Sequence, residues 1–148
     1  MLRHISRTIF ATLLALSVLG HPAGAIAASD LTLYRALGER PGLTALMDKF
    51  LDGLLADKRT EPFFGKSDHA HVKLMLVDLI CDVIGGPCEY AGEDMTTSHE
   101  KHAITAADFN ALVEVLQVAM DQQGIPVADQ NRLLARLAPM HRAIITRR

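Results

Sequence analysis

Seven histidines, two cysteines and six methionines are the side chains of this 148-residue sequence best suited to chemistry. His99 and His102 are three residues apart, which on a helix puts two imidazoles on roughly one face. A zinc site needs more donors than two imidazoles. His99 is the more informative of the pair. It follows an unpatterned stretch, residues 88–98, and stands between Met95 and Ile104, which suits a ligand whose short helix is positioned by a bound group. His69 and His71 point to different sides of a helix and read as surface residues near its start. Cys81 and Cys88 are seven apart, about 10.5 Å on a continuous helix and too far to bridge. The intervening Gly85-Gly86-Pro87 can turn the chain back, so a disulfide and two buried thiols both fit. A Gly-rich phosphate loop, a G-x-S-x-G elbow, a paired-carboxylate motif and the Cys-x-x-Cys-His of covalent haem attachment are all missing from the sequence.

The elements that must position these residues read as helices. After Pro41, apolar residues fall at Leu43, Leu46, Met47, Phe50, Leu51, Leu54 and Leu55, the repeat of one wide helix face. A short helix over residues 31–37 precedes it and ends at Gly38, and residues 57–65 read as a connection. A third helix starts at Ser67-Asp68 and runs to residue 84, with Val72, Met75, Leu76, Leu79, Ile80 and Val83 as its stripe. A short helix surrounds His99. Thr105 with Asp108 three residues on resembles a capping box. The helix it opens carries Phe109, Leu112, Val113, Leu116, Val118, Ala119 and Met120, and stops at Gly124. Pro126 opens the last helix, whose inner face holds Leu133, Leu134, Leu137, Met140, Ile144 and Ile145; Pro139 should kink it. No segment alternates as a strand does. The expected fold class is all-α, with four substantial helices and two short ones.

The start of the chain has a different character. Arg3, His4 and Arg7 precede an apolar stretch over residues 9–19, then Gly20, Pro22 and small residues up to Ala28. That is the layout of a secretory signal peptide with an A-x-A cleavage site. The expected organisation is a signal peptide over 1–28 and one domain over 29–148, exported and periplasmic, with membrane contact only if the segment stays uncleaved. Removing it takes two of the 15 basic residues and none of the 17 acidic ones, leaving 13 − 17 = −4. An acidic domain lacks the footprint of a nucleic-acid binder. Aromatics are scarce: five Phe, two Tyr and no Trp.

Several short stretches together resemble the group I truncated hemoglobins. They are Leu33-Tyr34-Arg35-Ala36-Leu37-Gly38, the Phe63-Phe64 pair, Gly85-Gly86-Pro87 followed by Tyr90-Ala91-Gly92, and Met95 and His99 before Ile104-Thr105. Their order and spacing match over about residues 31–145. The resemblance implies a two-on-two helical sandwich around a non-covalent haem b, with His99 as proximal ligand of its iron. It places Phe64 against the haem face and Met95, Ile104, Phe109 and Val113 on the proximal side. Lys66, Lys73 and Lys101 are candidates for the propionates, whose charge wants Lys or Arg.

The departures from the family pattern carry expectations of their own. Glu39 stands where a glycine is often found, and Glu100-Lys101-His102-Ala103 replaces a stretch that often holds glycines. Many members place Tyr directly after the residue matching Phe50, and Gln at one or both positions matching Val72 and Leu76. Here Leu51, Val72 and Leu76 are all apolar, so no hydroxyl or amide is expected to hold a bound gas. Met75 matches a position where some relatives have an iron-binding His. It is either a soft core filler or a thioether sixth ligand that raises the potential. The function implied is reversible binding of O2, NO or CO. The alternatives are NO dioxygenation with an electron donor and Met75–His99 electron transfer.

Overall fold

A computed structural model describes the backbone of residues 25–147 and the side chains of residues 31–147. The expected signal segment lies outside the described residues up to position 24. Eight α-helices follow among the described residues: α1 (Ala25–Ala36), α2 (Glu39–Ala56), α3 (Glu61–Phe64), α4 (His69–Val83), α5 (Met95–His99), α6 (Ala106–Gln122), α7 (Val127–Leu137) and α8 (His141–Ile144). No strand occurs among those residues.

Local chemistry sets most of these boundaries. Asp68 caps α4 by accepting from the His71 N–H at 3.1 Å. Thr105 and Asp108 form the reciprocal box that opens α6, with Thr105 N–H donating to Asp108 at 2.9 Å and Asp108 N–H to Thr105 at 3.2 Å. Pro41 sits in the first turn of α2, where an N–H has no helical partner. Pro139 breaks the last helix into α7, a 3-10 turn over Ala138–Met140, and α8.

Three expectations need correction. The first helix begins at Ala25, not residue 31, because Ala25, Ala27 and Ala28 are strong helix formers. The connection over residues 57–65 contains α3, opened by Pro62 near its start. Val118 is 54% exposed rather than part of the α6 stripe; two residues beyond Leu116, it lies about 200° round the helix.

Helix α2 is the centre of the molecule, packed along α4 and along α6. Leu43, Leu46, Met47 and Leu54 of α2 are fully buried with Cys81, Ile84, Met120 and Leu133. The turn after α4 is closed covalently: Cys81 and Cys88 form a disulfide with their Cα atoms 5.7 Å apart. Gly85 takes φ +75°. A Cβ on Gly86 would lie 2.7 Å from the Cys81 sulfur and 2.8 Å from the Tyr34 ring, so glycine alone fits beneath the bridge.

Two residues hold a left-handed backbone without being glycine: Glu39 at φ +57° and Ala103 at φ +49°. Both fall where the family pattern favours glycine. A non-glycine residue there costs about 1–2 kcal/mol, against about 0.5–1 kcal/mol for the extra freedom a glycine loses. Glu39→Gly and Ala103→Gly should each therefore raise stability, by up to about 1 kcal/mol, read as a higher midpoint of thermal or urea unfolding.

Candidate functional site

Helix α5 is only five residues long, so its own hydrogen bonds cannot hold it in place. It is fixed by a cap. The Asp94 carboxylate accepts from the N–H groups of Thr96 and Thr97 at 2.9 and 3.0 Å and from the Thr97 hydroxyl at 2.7 Å. These bonds, those from Thr97 foremost, hold the Asp94 carboxyl below its ordinary value.

The cap leads to His99. Its Nδ1 lies 2.8 Å from the Met95 carbonyl and 2.9 Å from the Ser98 hydroxyl oxygen. A carbonyl only accepts, so Nδ1 carries the proton. Ser98 spends its own proton on the Asp94 carbonyl at 2.8 Å, leaving its oxygen as a second acceptor for that N–H. Nε2 is then the basic nitrogen, with no hydrogen bond among the described residues. A ligating histidine is built this way: the far nitrogen is tied to an acceptor, which sets tautomer and ring angle. Burial pushes the half-buried ring below its ordinary pKa, against the raising effect of the Met95 carbonyl. Neutral imidazole is the ligating form.

His102 does not join His99 on a helix face. Helix α5 ends at His99, and His102 is exposed in the turn beyond, its N–H bonded to the His99 carbonyl at 3.0 Å. Among the described residues no three His, Cys, Asp or Glu side chains are grouped to hold a bare metal ion, so the zinc arrangement is not formed.

The surrounding apolar residues separate into two rows. On α4, Val77, Ile80 and Cys81, with Ile84 just beyond, are buried in the core shared with α2. Val72, Met75, Leu76, Leu79 and Val83 of the same helix are only half-buried. On α6, Ala111, Val115, Leu116, Ala119 and Met120 are buried while Phe109, Leu112 and Val113 are half-buried. Met95 on α5 and Phe64 at the end of α3 are half-buried as well. These second rows are apolar surface that the protein itself does not finish covering. Uncovered apolar rows and a basic imidazole nitrogen are the two kinds of group that would hold a flat apolar group carrying a metal.

The remaining expected residues are placed as follows. Phe50 and Leu51 on α2 are buried, and Ile104 is buried in the arm between α5 and α6. Phe64 and Leu76 pack against the core cluster that contains Phe50. Lys73 is engaged with Asp48 on α2 at 2.7 Å, while Lys66 and Lys101 are exposed. His69 is not a free surface residue: its Nε2 bonds the Phe64 carbonyl at 3.0 Å, which also accepts the Ser67 hydroxyl at 2.7 Å. That carbonyl is thereby held where α3 meets α4, fixing the backbone of Phe64. The sequence does not mark Asp94 and Ser98 as part of a site, although Asp94 followed by Thr97 has the polar spacing of a helix start.

The cap predicts a pH dependence. The folded-state pKa of Asp94 is lowered from 3.8, so its contribution is complete above that value and is lost as pH falls through the lowered one. Asp94→Ala should weaken retention of a group bound at His99 at neutral pH. The gap from the parent chain should close as pH drops below the ordinary value, followed in a pH series of retained absorbance.

Known proteins share this sequence pattern and this fold. A family described as bacterial-like globin matches residues 32–146. The group 1 truncated hemoglobin of Tetrahymena pyriformis is 30% identical over 100 residues, covering 68% of this chain and 83% of that protein. A group 1 truncated hemoglobin of Nostoc is 27% identical over 116 residues, covering 78% of this chain and 98% of that one. The crystal structure of the Tetrahymena pyriformis protein in its Fe(III) form superposes with a TM-score of 0.73 at 26% identity, over 76% of this chain and 97% of that one. The cyanomet 2/2 hemoglobin of Synechococcus, with covalently attached haem, shares the fold at a TM-score of 0.72 and 23% identity, over 78% of this chain and 98% of that one.

Proposed function

This chain belongs to the bacterial-like globins, as a group 1 truncated hemoglobin with the two-on-two helical fold, and on that footing we propose that it holds haem through His99 and binds O2, NO or CO reversibly. The observation that carries the reading is the orientation of His99, with Nδ1–H tied to the Met95 carbonyl and Nε2 left basic. When bound, the haem iron supplies the open coordination position at which a diatomic gas binds. The half-buried rows on α4 and α6 supply apolar surface for the macrocycle, and Phe64, Met95, Ile104, Phe109 and Val113 are its expected neighbours.

The side opposite His99 is assigned to Leu51, Val72 and Leu76. None of these side chains can donate a hydrogen bond, so the pocket admits small apolar gases and lets them leave quickly. Sustained NO consumption with an added electron donor would identify a dioxygenase; a single stoichiometric turnover would not. Export to an oxidising compartment is part of the proposal and is supported by the Cys81–Cys88 disulfide. Such a bridge closes a short loop worth about 2.5 kcal/mol in the chain-entropy model.

A second reading rests on Met75, half-buried between Val72 and Leu76 on the outer row of α4. Its thioether there could reach a sixth coordination position and favour electron transfer. Absorption spectra of the protein produced with ample haem test both readings. A haem band that responds to CO and O2 is expected, and its absence would remove the globin function. Met75→Ala should leave the ferric and ferrous spectra unchanged; a shift to a five-coordinate spectrum would establish ligation instead.

A further inference from the structure

The arm that leaves His99 is held from the far end of the chain. Ile104, in the arm joining α5 to α6, is buried. Both of its backbone polar groups are satisfied by the C-terminal segment. Its carbonyl accepts the N–H groups of Thr146 at 3.0 Å and Arg147 at 2.9 Å, and its own N–H donates to the Thr146 hydroxyl oxygen at 2.9 Å. The same segment follows α8, which packs against α5, and His141 of α8 sets its ring edge-on to Phe109 at 4.8 Å between centroids.

This clasp sits between two constraints. Ahead of it, Ala103 holds a left-handed backbone at φ +49°. Behind it, Thr105 is locked into the capping box of α6. The arm is therefore pinned at its α6 end, and Ile104 is the pin. Only four residues, Glu100 to Ala103, separate it from His99. Removing the hydroxyl that accepts from Ile104 would leave a backbone N–H without its partner, a larger loss than an exchange between exposed groups.

We propose that Thr146 is a positioning residue for the proximal histidine: clasping Ile104, it sets where α5 presents His99 to the haem iron. The proposal rests on the haem reading above, and it acts through α5 rather than by touching the haem. Thr146→Val keeps the shape and the backbone donors while deleting the hydroxyl acceptor; Thr146→Ser restores an acceptor.

Two measurements decide the matter. In the haem-loaded protein, Thr146→Val should speed haem loss at least roughly 5-fold and shift the iron–histidine stretching band in resonance Raman spectra. Thr146→Ser should return both toward the parent values. In the haem-free full chain, Thr146→Val should speed amide exchange at Ser98 and Glu100, whose N–H groups donate to the Asp94 and Thr96 carbonyls. Lowered thermal stability with an unshifted band and unchanged exchange in α5 would overturn the proposal, as would failure of Thr146→Ser to restore them. If the parent chain takes up no haem, the haem reading fails. The exchange result then still decides whether the clasp controls α5.

Discussion

Replacing His99 by Ala should strip the protein of its haem: the variant, produced beside the parent chain with ample haem, should carry almost no haem absorbance. The size of the effect follows from what the site loses. Outer partners of a ligating histidine alone typically influence affinity about 10- to 100-fold, so removing the ligand itself should exceed that range. The loss should not reflect misfolding, because His99 lies outside the buried cluster formed by α2, α4 and α6. Far-ultraviolet circular dichroism of the haem-free forms should accordingly match. Added imidazole should partly restore the haem band, since the space and the apolar rows remain. A variant that keeps its full haem complement would show that the iron is held elsewhere.

The second large effect concerns how long the gas stays. On the proposed assignment of Leu51 and Val72 to the gas side, Leu51→Tyr, or Val72→Gln at its half-buried position, would introduce a hydrogen-bond donor there. A hydrogen bond to a group bearing charge contributes about 1.5–3 kcal/mol. If all of it appears in the off-rate, O2 should leave roughly 10- to 150-fold more slowly. CO, which develops less charge, should respond less. Stopped-flow displacement measures both. A parent chain that already releases O2 as slowly as the Leu51→Tyr variant would place a donor in the pocket that Leu51, Val72 and Leu76 do not provide.

Legibility in the sequence followed the range of the interaction. The opening of α6 is written in two residues three apart, and Thr105 and Asp108 make both reciprocal bonds. The α2 stripe is equally local: Leu43, Leu46, Met47, Phe50, Leu51 and Leu54 are all buried, and Leu55 at its edge is half-buried. His99 drew attention through its neighbours, but its orientation depends on a carbonyl that any residue at 95 could have supplied. The cysteine pair could not be decided, because bridging depends on the φ of Gly85 and the tight seat of Gly86 against Tyr34. The role of His69 is invisible in the sequence because its partner is a backbone atom, which has no identity there. Thr146 left no local trace either, since its partner Ile104 lies 42 residues away. The two unusual positions, Glu39 and Ala103, could be seen as departures from a glycine pattern; only the backbone shows that each stores a left-handed conformation.

The central place of α2 has a consequence for assembly order. Its contacts with α4 and α6 close a buried cluster built mainly from Leu, Ile, Val and Met, with Tyr34 and Phe50 as its buried rings. Helix α5 contributes no buried residue to that cluster and leans on α8 instead. Cooperative units of unequal stability are expected from such a division. The folding chain can thus complete its main body first and leave the His99 side ajar. If His99 is the haem ligand as proposed, haem capture would be a closing step rather than a nucleating one, as the proposed export of an empty chain would require.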